Sequence, residues 1–214
     1  MKPNYLNFLF RHSSIFLLLE FFFETFYYLK NKLYGNSPRW IKKIVLRRNF
    51  LNDCITIETG TYFGQMSKFF SFFSLKCYTI EASLDHFNNA KKFLPLNVIC
   101  LHGSSEELLE SVIVNSLTYD NLNIFLDGHF SGGYTFMGEN LSPIKFELEI
   151  IEKFISNFKK IVIAVDDVRC FKLGFENYPS INFLVDFCIK NNFSWHIEHD
   201  IFIMKKTLIA NLIV

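Results

Sequence analysis

From Cys54 onward the chain repeats one theme: a short, almost wholly apolar run, then a longer stretch with helical spacing, then another apolar run. The runs Cys54–Glu58, Cys77–Glu81, Val98–Leu101, Leu122–Asp127 and Ile161–Asp166 read as strands. Helices are predicted from Gly64 to Phe73, Leu84 to Phe93, Ser105 to Val114 and Pro143 to Phe158. Strands joined through helices lie parallel, because the crossover returns the chain to the same edge of the sheet. Continuous apolar runs such as Ile161–Val165 suit strands covered on both faces. A helix at Ile181–Lys190 then leads into Ser194–Glu198 and Ile201–Lys205, which read as a closing antiparallel hairpin. The expectation is an α/β fold with a mostly parallel seven-stranded sheet and helices on both faces.

The cluster Gly35-Asn36-Ser37-Pro38 divides the 214 residues into an apolar helical extension, 1–37, and a main domain, 38–214. Lys and Arg number 22 against 21 Asp and Glu, a net charge of +1. A general polyanion binder carries a basic excess, so no nucleic-acid partner is expected. The five cysteines lie far apart without a C-x-x-C pair, which argues against zinc and for reduced thiols in a cytoplasmic setting. In the extension, Ile15–Phe23 is apolar except for Glu20, and Glu24 follows closely. Carboxylates there argue against a membrane span, and no cleavage site for a secretory signal follows. One reading is a helix that covers the sheet or packs on a second subunit in a homodimer. The other is peripheral membrane contact, with this helix lying on a membrane surface, helped by the basic stretch Arg39–Arg48.

In open α/β sheets ligands bind beyond the carboxyl ends of the strands. Those ends carry Glu58, Glu81, Gly103-Ser104-Ser105, Asp127 and Asp166-Asp167. Carboxylates gathered along one edge repel unless a cation or a set of donors compensates them. The first turn is Glu58-Thr59-Gly60-Thr61-Tyr62-Phe63-Gly64; Gly60 permits a sharp turn and Gly64 a tight helix entry. The G-x-G-x-x-G fingerprint that seats a pyrophosphate is not met, because Tyr62 stands at its second glycine. An acid beside the turn suits a cationic nucleoside instead. Glu81, with Ala82 after it, is placed to accept hydrogen bonds from ribose hydroxyls. Ser104 and Ser105 stand where a base would lie, with Ser105 as cap of the next helix the alternative. Asp127, Asp166 and Asp167 together offer oxygens to Mg²⁺ or another hard cation, which would lower the pKa of an acceptor hydroxyl; the plain alternative is one Asp of the pair capping the turn and one bonded to Arg169. His129, in the loop Asp127-Gly128-His129-Phe130-Ser131-Gly132-Gly133, is the candidate base, with a hydrogen-bonded loop histidine as the plain alternative.

These stretches, "ETGTYFG", "YTIEAS", "FLDGHFSGG" and "VDDVRCF", resemble those of a family of bacterial class I S-adenosylmethionine (SAM)-dependent methyltransferase-like proteins. The likeness continues through "ENYPS" and "HDIFIMKK", over roughly residues 38–206. It implies a Rossmann-like methyltransferase fold and SAM as cofactor. On that resemblance Glu58, Thr59, Gly60, Thr61, Tyr62, Gly64, Glu81, Ala82, Ser104, Ser105 and Asp127 are the expected cofactor contacts. Asp127 and His129 are the expected catalytic pair. The placement of Asp127, Asp166 and Asp167 is also similar to that in cation-dependent O-methyltransferases. The expected activity is therefore O-methylation of a small or carbohydrate acceptor with a divalent cation assisting. The alternative is a non-catalytic module that keeps the fold as a partner or membrane-associated subunit in glycan biosynthesis.

Overall fold

The computed structural model describes residues 13–31, 36–128, 143–171 and 178–208. Helices α1 (Ser14–Lys30) and α2 (Arg39–Asn49) precede β1 (Cys54–Thr59), α3 (Gln65–Phe70), β2 (Ser74–Glu81), α4 (Leu84–Ala90) and β3 (Val98–His102). Then come α5 (Ser105–Asn115), β4 (Asn121–Leu126), α6 (Ile144–Glu152), β5 (Lys160–Val165), α7 (Ile181–Asn191), β6 (Ser194–Glu198) and β7 (Ile201–Thr207). His129 and the Ser131-Gly132-Gly133 loop lie outside the described residues.

The seven strands form one sheet in the order β3-β2-β1-β4-β5-β7-β6. The pairs from β3 through β5 are parallel, and β7 runs against both β5 and β6. The β6–β7 turn is two residues long, His199 and Asp200, both at positive φ as tight hairpin turns require. The chain steps outward from β1 to β3 and then returns to lay β4 on the other side of β1. That reversal opens a crevice above the carboxyl ends of β1 and β4.

Alternation along the strands divides the core. Ile55, Ile57, Leu122, Ile124, Ile161 and Ile163 face α5, α6 and α7. Phe125, Val162, Ala164 and Ile203 face α2 and α3, packing on Val45, Leu46 and Phe70. The helix predicted to Phe73 stops at Phe70, because β2 already begins at Ser74. The helix predicted to Phe158 ends at Glu152 and gives way to a 3₁₀ turn at Ile155–Asn157.

Helix α2 was not foreseen in the basic stretch, although Val45, Leu46 and Asn49 supply a buried stripe at helical spacing. Helix α1 does not cover the sheet with its apolar side. Its polar side turns inward: Arg39 donates to Glu20 at 2.5 Å, Trp40 Nε1 to Thr25 at 3.0 Å, and Tyr28 meets His199 Nδ1 at 3.0 Å. Burying Glu20 and Glu24 against Arg39 satisfies charges that no apolar packing could.

Candidate active site

One hydrogen bond past each strand end keeps the turns in register. Gly60 N–H donates to Ile80 O, Gly103 N–H to Glu81 O, Asp127 N–H to Thr59 O and Asp166 N–H to Leu126 O, all at 3.0–3.1 Å. The turns after β1 through β5 are thereby aligned along one edge of the sheet. Gly60, at φ +88°, packs so closely that a Cβ there would lie 2.6 Å from the Asp127 carbonyl oxygen. The turn thus needs glycine for contact between β1 and β4, not only for ligand approach. Gly64 takes φ +73° as the N-cap of α3, where a Cβ would meet Leu94.

Glu58, an expected cofactor contact, is enclosed by protein groups. The strand runs one residue further, to Thr59, and the Glu58 side chain points into the α3 side of the sheet, fully buried. Its Oε2 accepts from Ser67 Oγ and, at 2.7 Å, from Thr79 Oγ1; Oε1 has no hydrogen-bond partner among the described residues. Burial pushes its pKa up to about 8 against the two hydrogen bonds. Thr59, on the opposite side of the strand, is equally buried, and its Oγ1 also lacks a partner among the described residues. Thr61 Oγ1 pairs with Thr79 Oγ1 at 2.6 Å beneath the turn.

Glu81 closes the crevice on the β2 side. Its Oε2 accepts from Tyr62 N–H at 2.7 Å and its Oε1 from Ser83 N–H at 2.9 Å, so one carboxylate fixes the turns after β1 and after β2. Burial raises its pKa, while these backbone N–H groups oppose the rise. Tyr62, at φ +50°, stacks edge-on with Phe63 and lies 5.0 Å from the His86 ring. Beyond β3, Ser104 is the helix cap, not Ser105. Its Oγ accepts from Glu107 N–H at 3.3 Å, and Glu107 returns the bond in a capping box. Ser105 is buried in the first turn of α5, with its Oγ directed to Glu106. The segments 58–65, 81–87 and 103–109 contain no Lys or Arg. A site for a phosphate-bearing ligand would need such charges or a free helix N-terminus; a sulfonium and an ammonium do not.

The metal reading finds no support among the described residues. Asp166 and Asp167 are both buried, and the cation that meets them is Lys42 of α2. Its Nζ stands 2.6 Å from Asp166 Oδ2 and 3.2 Å from Asp167 Oδ1. Burial alone would lower the Lys42 pKa, but Asp166, Asp167 and, further off, Asp127 hold it raised and charged. Arg169 bonds Asp167 at 2.6 Å and also pairs with Asp200 from the β6–β7 turn. Among the described residues no group of three acid, His or Cys side chains is arranged to hold a metal ion. The donor set does not fit Mg²⁺, because its charge is already neutralised by protein cations. The bond of Arg169 to one acid of the pair is the plain alternative read from the sequence; Lys42 is the residue that strand-end reasoning missed.

A narrow hollow opens beyond β4 and β5, bordered by Gly128, Ile144, Glu147, Asp166, Phe171 and Tyr178. Glu147 is buried there on α6, and Tyr178 has its pKa raised, first by burial and then by Cys170 and the acids Asp167 and Asp127. Tyr178 therefore keeps its proton as a donor.

In its fold the chain is similar to solved structures. A protein from Staphylococcus aureus assigned as a caffeoyl-CoA O-methyltransferase superposes with a TM-score of 0.51 at 20% identity, covering 94% of this chain and 97% of its own. The fold is that of the class I methyltransferases. An rRNA methylase from Streptococcus thermophilus gives a TM-score of 0.49 at 14% identity, over 82% of this chain and 99% of its own. A Listeria monocytogenes protein assigned as a SAM-dependent methyltransferase gives 0.49 at 12%, over 79% and 99%. No protein-family model and no curated protein sequence matches the chain.

Proposed function

We propose that the chain is a SAM-dependent methyltransferase acting on a hydroxyl of a small or carbohydrate acceptor. The observation that carries the reading is the alignment of the five strand-end turns into one crevice whose β1–β3 side holds the acid Glu81 and no Lys or Arg. A nucleoside with a positively charged sulfonium suits such a wall, and a carboxylate at the end of β2 retains lone pairs for ribose hydroxyls. SAM, when bound, supplies an electrophilic methyl group. Thr59, Gly60, Thr61, Tyr62, Gly64, Ala82, Ser104, Ser105 and Asp127 frame the donor side. On the acceptor side, Tyr178 and Glu147 border the hollow, where a donor and a carboxylate can orient a hydroxyl. Lys42 and Arg169 hold Asp166 and Asp167 rigid behind it. Asp127, and His129 in the following loop, are the candidates for receiving the acceptor proton.

The test is calorimetry with S-adenosylhomocysteine. Binding at micromolar scale is expected, weakened at least about tenfold in Glu81→Gln, the loss of a charge-assisted hydrogen bond. Folded protein that gives no heat refutes the reading. One observation favours the second reading, a module that keeps the crevice without transfer: the acids after β5 are fully engaged by Lys42 and Arg169. S-adenosylhomocysteine binding without label transfer from methyl-labelled SAM to sugars or phenols would select it.

A further inference from the structure

Helix α1 is built inside out. Its Glu20, Glu24, Thr25 and Tyr28 are the groups bonded to the domain. Ten large apolar side chains from Ile15 to Leu29 are exposed instead, and only Tyr28 is buried. At 100° per residue, Ile15, Leu19, Phe22, Phe26 and Leu29 form the outer ridge, exposed by 46 to 69 %. Leu18 and Phe23 flank that ridge, exposed by 58 and 71 %. About half of the helix circumference is therefore aliphatic or aromatic and faces away from the protein. Monomeric proteins rarely leave so continuous an apolar surface open.

We infer that α1 lies in the plane of a lipid bilayer surface, apolar half inward to the acyl chains, with the domain on its water side. The flanks decide between lipid and a second copy. A two-helix seam buries the ridge and places charges at the flanking positions, where they set partner and orientation. Here the flanks are Leu and Phe, so a seam would leave them in water, whereas a lipid phase covers the whole arc. No helix among the described residues is long and apolar enough to cross a membrane. A spanning helix would also carry Glu20 and Glu24 into lipid, whereas a surface helix leaves them on Arg39. Charge plays little part in the attachment. In α2, Arg39, Lys42 and Arg48 are committed to Glu20, Asp166 and Glu198, and Lys43 and Arg47 lie over the Phe69 and Phe73 rings, so the basic side chains of α2 are held against protein groups. Zwitterionic lipid is sufficient on this argument, which is independent of the reaction proposed above.

Flotation of the full chain with pure phosphatidylcholine vesicles tests this. The chain is expected to float, equally at low salt and at about 1 M NaCl, where surface electrostatics are screened. The double variant Phe22→Glu/Phe26→Glu should lose at least about a hundredfold in partitioning, from two phenyl groups no longer buried. Its circular dichroism and melting should match the parent, since both positions are exposed. A chain that stays in solution as a dimer, and becomes monomeric in the double variant, overturns the inference in favour of a second copy. A monomer that ignores vesicles overturns it, as does binding confined to anionic vesicles and released by salt.

Discussion

Replacing Glu58 by Gln isolates one strongly shifted ionisation in the fold. In the unfolded chain this carboxyl titrates at its ordinary value of 4.5; in the fold, burial raises it to about 8. Between those values the native state holds a proton that the unfolded state has released. Raising the pH through that window therefore draws the equilibrium towards the unfolded chain, and the loss levels off above about pH 8. Each pH unit costs about 1.4 kcal/mol, so the ceiling across the window is about 5 kcal/mol, a large part of a domain's stability. Gln keeps an oxygen for Ser67 and Thr79 but has no proton to lose. Urea melts of both proteins at about pH 5 and about pH 8 measure the difference, in which every other titrating group cancels. The parent should lose stability relative to Glu58→Gln as pH rises. A difference that stays constant, or grows in the parent's favour, refutes the burial argument.

Lys42→Met leaves two buried carboxylates without their ammonium and should cost about 3–5 kcal/mol in denaturant melts. Mg²⁺ should leave the parent's melting unchanged, because Lys42 already occupies the gap between the acids. Gly60→Ala should cost about 2–4 kcal/mol by thermal melting, through a Cβ driven against the Asp127 carbonyl at a φ that alanine disfavours.

The sheet was legible because its strands are short, mostly apolar runs separated by longer stretches with helical spacing. Ile161–Val165 and the segment from Ser194 to Lys205 were read in their observed roles. Boundaries were less legible, since one residue decides which side of a strand a carboxylate faces. Glu58 was taken for a strand-end acid, yet β1 continues to Thr59, and the acid turns inward to Thr79 and Ser67. Glu81 does end its strand, as read. The pairing of Lys42 with Asp166 joins residues 124 apart, which no local spacing announces. The acids after β5 therefore looked like metal ligands when seen without their partner. The basic stretch hid α2 for the same reason, since its charges bond to residues distant in sequence.

The ties between α1, α2 and the β6–β7 turn bear on the order of events at the ribosome. Tyr28 waits for His199, Ser37 for the carbonyl of that same residue, and Asn49 for Glu198, partners translated 149 to 171 residues afterwards. At usual elongation rates that delay is about 10–30 seconds. Throughout it the greasy leading segment has emerged while its inner, polar side can hold only Arg39 and Trp40 of α2. A nascent chain of this design shows the apolar half of α1 before the domain behind it is complete.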